Sequence, residues 1–153
     1  MTYGIRPATK EDLARVAENM DPADAAEVWA SSRKLPLEAV IASARVSRET
    51  LAGCVNDEAI CVFGVGQRTL LDTTGIPWLL GTPEIPSHGR AFLRASKRWV
   101  EQEAVRYEKL ENWVDARHTR AVQWLKWLGF GVQDPPLPFG AEQMPFHYFS
   151  MRA

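Results

Sequence analysis

Apolar positions along the 153-residue chain recur with two periods, one near 3.6 and one near 2, and the switches between them mark out its elements. Residues 3–6 read as a first strand, closed by Pro7. Thr9-Lys10-Glu11-Asp12 is a capping signal, with Thr9 as N-cap and an acid three residues on. Leu13, Val16, Ala17 and Met20 follow at i, i+3, i+4 and i+7, so one face of this helix is buried. Asp21-Pro22 restarts the chain, since proline is well tolerated at a first helical position, and Ala25, Val28 and Trp29 give the new helix a short apolar face. Pro36 starts a third helix with Leu37, Val40, Ile41 and Ala44 inward.

The period then falls to two. Residues 50–55 and 58–66 read as a hairpin, with Asn56 and Asp57 as turn formers. The second arm, AICVFGVG, is nearly continuous apolar and is expected to be a central strand buried on both faces. A polar stretch, 67–75, connects to another apolar run, 76–81, in which Pro77 must sit at the strand's start or at an unpaired position. Gly89-Arg90-Ala91 leads into a long helix to about Tyr107, with Phe92, Ala95, Trp99 and Val100 inward. Residues 110–114 read as a strand, and Thr119 as the cap of a short helix with Ala121, Val122, Leu125 and Leu128 on its apolar side. Gly129 stops that helix as a C′ glycine, and Phe130 and Val132 open the next strand. Residues 135–140, PPLPFG, read as a loop and 146–151 as a last strand. The fold class is α/β, with residues 1–153 as a single domain and no repeat, linker or low-complexity tract.

Composition narrows the function classes. A formal net charge of −1 gives no global attraction to nucleic acid or to an acidic membrane. No apolar run reaches the ~18 residues of a membrane span, and the N-terminus lacks a signal-peptide core, so a cytoplasmic protein is expected. Two cysteines, Cys54 and Cys61, are near enough for one bridge, but both lie in strand-like stretches where free thiols serve as small apolar groups. His88, His118 and His147 are too scattered for a metal site, and none is expected. There is no P-loop, no paired Cys/His spacing and no GxSxG elbow. Arg90, Arg94, Lys97 and Arg98 make a local basic run that a solvated helix face explains better than a nucleic-acid patch.

The stretch HTRAVQWLKWLGF, residues 118–130, resembles the C-terminal motif of the GCN5-related N-acetyltransferases (GNAT), N-x-x-A-x-x-x-Y-x-x-x-G-F. Ala121, Gly129 and Phe130 match, His118 replaces the usual Asn, and Leu125 replaces the Tyr that often protonates the departing thiolate. The tail WLKWLGF, with Trp124 and Trp127, is similar more particularly to acetyltransferase-like proteins of tailed phages related to internal virion protein A. The resemblance implies a mixed, strongly twisted sheet flanked by helices and splayed between its fourth and fifth strands. The order of elements carries it over nearly the whole chain, although motif residues lie only between Trp78 and Phe130.

It also implies acetyl-CoA as cofactor, with the diphosphate on backbone amides at the start of the long helix. The family's Q/R-x-x-G-x-G/A aligns there with Pro86-Ser87-His88-Gly89-Arg90-Ala91. Gly89 and Ala91 match, Arg90 adds a cation, and Pro86 removes both a side-chain and a backbone donor. A helix N-terminus favours an anion by about 0.3–1 kcal/mol per contact, so Ser87, His88, Gly89, Arg90 and Ala91 are the expected phosphate contacts. Leu79, Leu80 and Gly81 would pair their backbone with the thioester arm, and as an ordinary core strand they would look no different.

Transfer to an amine needs a base, because an alkylammonium with pKa near 10 cannot attack. Glu84, just past the fourth strand, and His118, at the mouth of the short helix, are the candidates; a solvated loop residue and a cap are the plain alternatives. Leu125 cannot donate a proton, and nothing in the sequence selects between Tyr107 and Tyr148 as its substitute. The leading expectation is an N-acyltransferase acting on a small-molecule or protein amine. Against it stands a catalytically degenerate protein on the same fold, a phage virion or host-interaction component; a nucleic-acid module is a weak third. The sequence leaves open a homodimer or a place as a virion component.

Overall fold

In the computed structural model, which describes residues 2–152, strand β1 (Tyr3–Pro7) is followed by helices α1 (Lys10–Glu18), α2 (Pro22–Ser32) and α3 (Pro36–Arg45). Strands β2 (Ser47–Val55), β3 (Glu58–Gly66) and β4 (Thr74–Gly81) come next. A 3₁₀ turn at Ile85–His88 leads into α4 (Gly89–Arg106), then β5 (Lys109–Asp115) and α5 (Thr119–Leu128). Strands β6 (Gly131–Val132), β7 (Leu137–Phe139) and β8 (Met144–Arg152) complete the chain. The strands form one sheet in the order β1-β2-β3-β4-β5-β8-β6, with β7 also paired to β8. All pairings are antiparallel except β4 with β5, which is parallel.

Local chemistry sets the element ends. Thr9 Oγ1 accepts from the Asp12 amide at 3.2 Å while Asp12 accepts from the Thr9 amide at 2.8 Å, a complete capping box. Arg6 grips the same carboxylate and, with the Thr9 amide, holds Asp12 below the usual carboxylate range despite its burial. Asn56 and Asp57 both adopt positive φ, 52° and 62°, the backbone a two-residue hairpin turn requires. Gly129 ends α5 at φ +105°, a conformation that costs glycine nothing.

The sheet is covered on both faces. Val16 of α1 and Val40 of α3 pack on Ala52, Val62 and Leu80, whereas α4 and α5 cover the other face with Val100, Leu125 and Leu128 against Leu110, Val114 and Phe149. Strand β3 is buried at every position after Glu58, as its apolar run predicted, and each fully enclosed side chain such as Ile60 or Val62 contributes about 1.5–3 kcal/mol. Cys54 and Cys61 are free and buried, and desolvation pushes the Cys61 thiol up to about 12. Among the described residues no helix is long and apolar enough to cross a membrane, and no group of three or more His, Cys, Asp or Glu gathers to hold a metal.

Several expectations need correction. In α2 only part of the apolar stripe is inward: Val28 packs on the core, but Trp29 is 45% exposed, while Asp24 and Ala30 are buried. This helix packs on strand ends whose amides lack sheet partners, and such amides recruit carboxylates rather than indoles. α3 is likewise rotated, burying Ala39 and Val40 and leaving Leu37 and Ile41 in solvent. His118, not Thr119, is the N-cap of α5, and its side chain makes no capping bond. The 135–140 loop contains the short strand β7.

Candidate active site

Strands β4 and β5 pair only at Thr74–Lys109 and Gly75–Leu110, then diverge. Gly75 permits the pinch, because a Cβ there would lie 2.5 Å from Val65 Cγ1 and 3.0 Å from Leu110 Cδ2. Past the pinch, Asn112 Nδ2 reaches across and donates to the Pro77 carbonyl at 2.8 Å. Beyond that latch the strands leave a cavity of about 300 Å³, within the range of small-molecule sites.

The alternation of β4 decides which backbone groups face the cavity. Thr82 donates to Ile60 of β3, whereas Gly81 and Pro77 address the gap side through their bonds to Asp24 and Asn112. With period two, Leu79 shares the orientation of Pro77 and Gly81, so its N–H and C=O point into the gap. Leu80, paired with Val62, spends its backbone groups on the β3 ladder. Gly81 is also engaged: its amide donates to Asp24 Oδ2 at 2.8 Å and its carbonyl accepts from the Asp21 amide at 2.8 Å. Of the three strand residues singled out from the sequence, Leu79 alone presents free main-chain groups to the gap.

Helix α2 bridges the wide end. Asp24 holds the end of β4, and Glu27 Oε1 accepts from the Asp115 amide of β5 at 2.8 Å, so two acids one helical turn apart clamp the diverging strands. His118 Nε2 is 2.7 Å from Asp24 Oδ1, and that bond, outweighing burial, raises the imidazole pKa. Burial drives the Glu27 carboxyl up to about 7; the Asp24 and Asp115 charges reinforce this, while the Asp115 amide and His118 oppose it. Burial also pushes Asp115 up, but bonds from the Arg117 guanidinium and amide prevail and leave it below the usual range. The wall opposite α2 is aromatic: Trp113 stacks on Phe139 at 4.4 Å, and Phe146 lies 5.2 Å beyond. Gly140 docks this wall on α2, its neighbours Ala141 and Glu142 donating to Ser31 and Ala30 carbonyls.

At the opposite face of the sheet the cavity runs between α4 and α5. Phe92 and Trp124 meet there at 5.5 Å, and Trp99 sits edge-on to Phe63 at 4.9 Å. The indole nitrogens of Trp99 and Trp124 are buried without an acceptor among the described residues, and both residues line the cavity. The first turn of α4 has no side-chain cap, leaving amide donors at Gly89, Arg90 and Ala91.

Leu79, Leu80 and His118 line the cavity. Ser87, His88, Gly89, Arg90 and Ala91 gather at the α4 N-terminus outside its lining, and Glu84 is exposed, 3.6 Å from Arg15 of α1. Neither tyrosine considered as a proton donor lies on the cavity: Tyr107 is buried at the end of α4, and Tyr148 donates to Glu111 at 2.5 Å. Sequence reasoning missed Asp24 and Glu27. Their signal was present as acids at positions 21, 24 and 27, a spacing that puts Asp21, Asp24 and Glu27 along one side of a helix.

No protein-family model matches the sequence, and neither does any curated protein. Solved structures do match over almost the full chain. A spermidine N-acetyltransferase from Vibrio cholerae, in complex with CoA and spermine, superposes with a TM-score of 0.71 at 12% identity, covering 99% of this chain and 95% of its own. A ribosomal-protein-alanine N-acetyltransferase from Brucella melitensis gives 0.72 at 13% identity, over 98% and 99% of the two chains. An acetyltransferase from Bacillus subtilis in complex with CoA gives 0.62 at 11% identity, over 99% and 98%. At such identities the likeness is one of architecture. With its sheet parted between β4 and β5 and covered by helices on both faces, the chain shares the fold of these acetyltransferase structures.

Proposed function

We propose that the protein is an acetyl-CoA-dependent N-acyltransferase. One observation carries this: the gap between β4 and β5 holds unpaired Leu79 backbone groups on one wall and an enclosed pair of carboxylates at its far end. Acetyl-CoA, when bound, supplies a thioester whose carbonyl carbon accepts a nucleophile. Leu79 N–H donates to an acyl or amide oxygen of the arm, and Leu79 C=O accepts from an arm amide. Gly89, Arg90 and Ala91 hold the diphosphate with their amides, and the Arg90 side chain adds a cation. Two neighbours in complex with CoA, one of them also with spermine, support both the thioester and a small-molecule amine as acceptor.

Positioning supplies much of the rate, because holding amine and thioester together replaces a bimolecular encounter. His118, first considered as the base, serves better as the partner that fixes Asp24, since its bond to that carboxylate raises its pKa and favours the charged form. Glu84 lies too far out for the role. A second reading, a non-catalytic phage virion or host-interaction protein on this fold, draws on Leu125, whose buried side chain stands where a proton donor is usual.

Thermal denaturation with acetyl-CoA, combined with a thiol-release assay over a panel of amines, separates the two. A ligand at 100 times its dissociation constant adds about 2.7 kcal/mol, or roughly 5–10 °C for a domain of this size. A shift with thiol release supports the enzyme, and a shift without release over the whole panel supports the non-catalytic reading. No shift at millimolar ligand rejects the thioester site itself.

A further inference from the structure

The wide end of the gap has a composition that the thioester does not use. Asp21, Asp24 and Glu27 of α2 line it together with Trp113 of β5 and Phe139 and Phe146 of the terminal strands. The neighbouring charges are not distributed evenly. Arg117 satisfies Asp115, His118 satisfies Asp24, and Arg120 stands 3.9 Å from Asp21. Glu27 makes no ion pair among the described residues, although His118 and Arg117 lie near enough to favour its charge; its Oε1 accepts the Asp115 amide, and its second oxygen makes no hydrogen bond to them. An enclosed carboxylate without a direct ion pair is costly, and the cheapest remedies are a proton or a cationic ligand.

Resting on the acyltransferase reading, we propose that this end is the acceptor subsite for a primary ammonium carried on an apolar body, and that Glu27 is the base that takes its proton. The ammonium supplies the missing partner of Glu27, while the Trp113–Phe139 wall packs the body and offers π-faces to the charge. Glu27 removes one proton from the ammonium. The freed nitrogen lone pair forms the C–N bond to the thioester carbonyl carbon, the C–S bond breaks with its electrons passing to sulfur, and the second nitrogen proton neutralises the thiolate. Glu27 then returns its proton to water at the mouth. No tyrosine is needed at position 125, because the acceptor itself delivers the sulfur's proton. A carboxyl titrating at about 7 is well matched to this task near neutral pH.

The test is calorimetric titration of the whole protein with phenethylamine and with 2-phenylethanol, alone and in the presence of CoA, in buffers of different ionisation enthalpy. At pH 6 the amine is expected to bind with release of about 0.9 proton, falling towards zero at pH 8.5, and at least about 10-fold more tightly than the alcohol. Glu27→Gln keeps the bond from the Asp115 amide; it is expected to abolish proton release and the preference for the amine, and to lower kcat about 100-fold with a flattened pH profile. Its thermal shift with acetyl-CoA should match that of the parent, which shows that the variant is folded and separates this proposal from the thioester site. Equal binding of amine and alcohol, no binding of either, or proton release that persists in Glu27→Gln overturns the proposal, whatever acetyl-CoA does.

Discussion

Proline substitutions at two adjacent residues of β4 test which side of the strand faces the gap. Pro77 already shows that β4 accepts proline where the backbone addresses the gap, since no ladder bond to β3 is lost. Leu79 shares that orientation, so Leu79→Pro removes a donor that has no partner among the described residues. What it loses is part of a half-buried leucine side chain, about 1–2 kcal/mol. For a domain of this size that is a fall in Tm of roughly 2–8 °C. Leu80→Pro differs on both counts: it deletes the bond to Val62 and empties a side chain that is only 6% exposed. The combined loss is about 3–6 kcal/mol, enough to unfold much of a marginally stable domain. Calorimetric unfolding gives the first comparison and titration with acetyl-CoA the second. Leu79→Pro is expected to bind about 10-fold more weakly, the worth of one hydrogen bond in the site. Equal destabilisation by the two prolines, or unchanged affinity in Leu79→Pro, would refute the assignment of the Leu79 amide to the ligand.

Other perturbations probe the remaining parts. Gly140→Ala places a Cβ 2.6 Å from Ser31 Cα at φ +77°, so it is expected to cost about 1–3 kcal/mol in urea unfolding and to raise the KM for the amine more than that for acetyl-CoA. His118→Ala removes a charge-assisted bond worth about 1.5–3 kcal/mol. Because the folded pKa of His118 is raised, that stability is complete below about pH 6.5 and disappears as pH rises through the folded value, so the penalty measured at pH 6 should shrink at pH 9. Glu27→Gln has the same sign for a different reason: ionising the enclosed carboxyl becomes costly between the ordinary value of 4.5 and about 7, so the variant should gain on the parent in unfolding free energy from pH 4.5 to pH 8. Leu125→Tyr is expected to leave acetyl-CoA affinity and thiol-release rate within about 3-fold, with an overpacking cost of about 1–3 kcal/mol.

Much of the architecture was legible because the periods were clean. The run from Ala59 to Gly66 could only be a central strand, and Thr9, Asn56-Asp57 and Gly129 announced their cap, turn and stop. The parting of β4 from β5 came from family resemblance alone, since no side chain of either strand encodes an absent hydrogen bond. Helix α2 was misread for a physical reason. A hydrophobic stripe identifies the inward face only when the surface beneath is apolar, and here it consists of two strand ends with unpaired amides. Those amides select Asp24 and Glu27 and turn Trp29 out to solvent. The same blindness hid Glu27 and Asp24 themselves, because their partners lie 88 and 57 residues away in the chain.

Amide hydrogen exchange followed residue by residue, with and without saturating acetyl-CoA, puts the thioester site to its most direct test. Slowed exchange at Leu79 and at Gly89, Arg90 and Ala91, with Leu80 already protected in the free protein and unchanged, is the expected result. Protection that bypasses Leu79, or none anywhere along β4 and the start of α4, would contradict it.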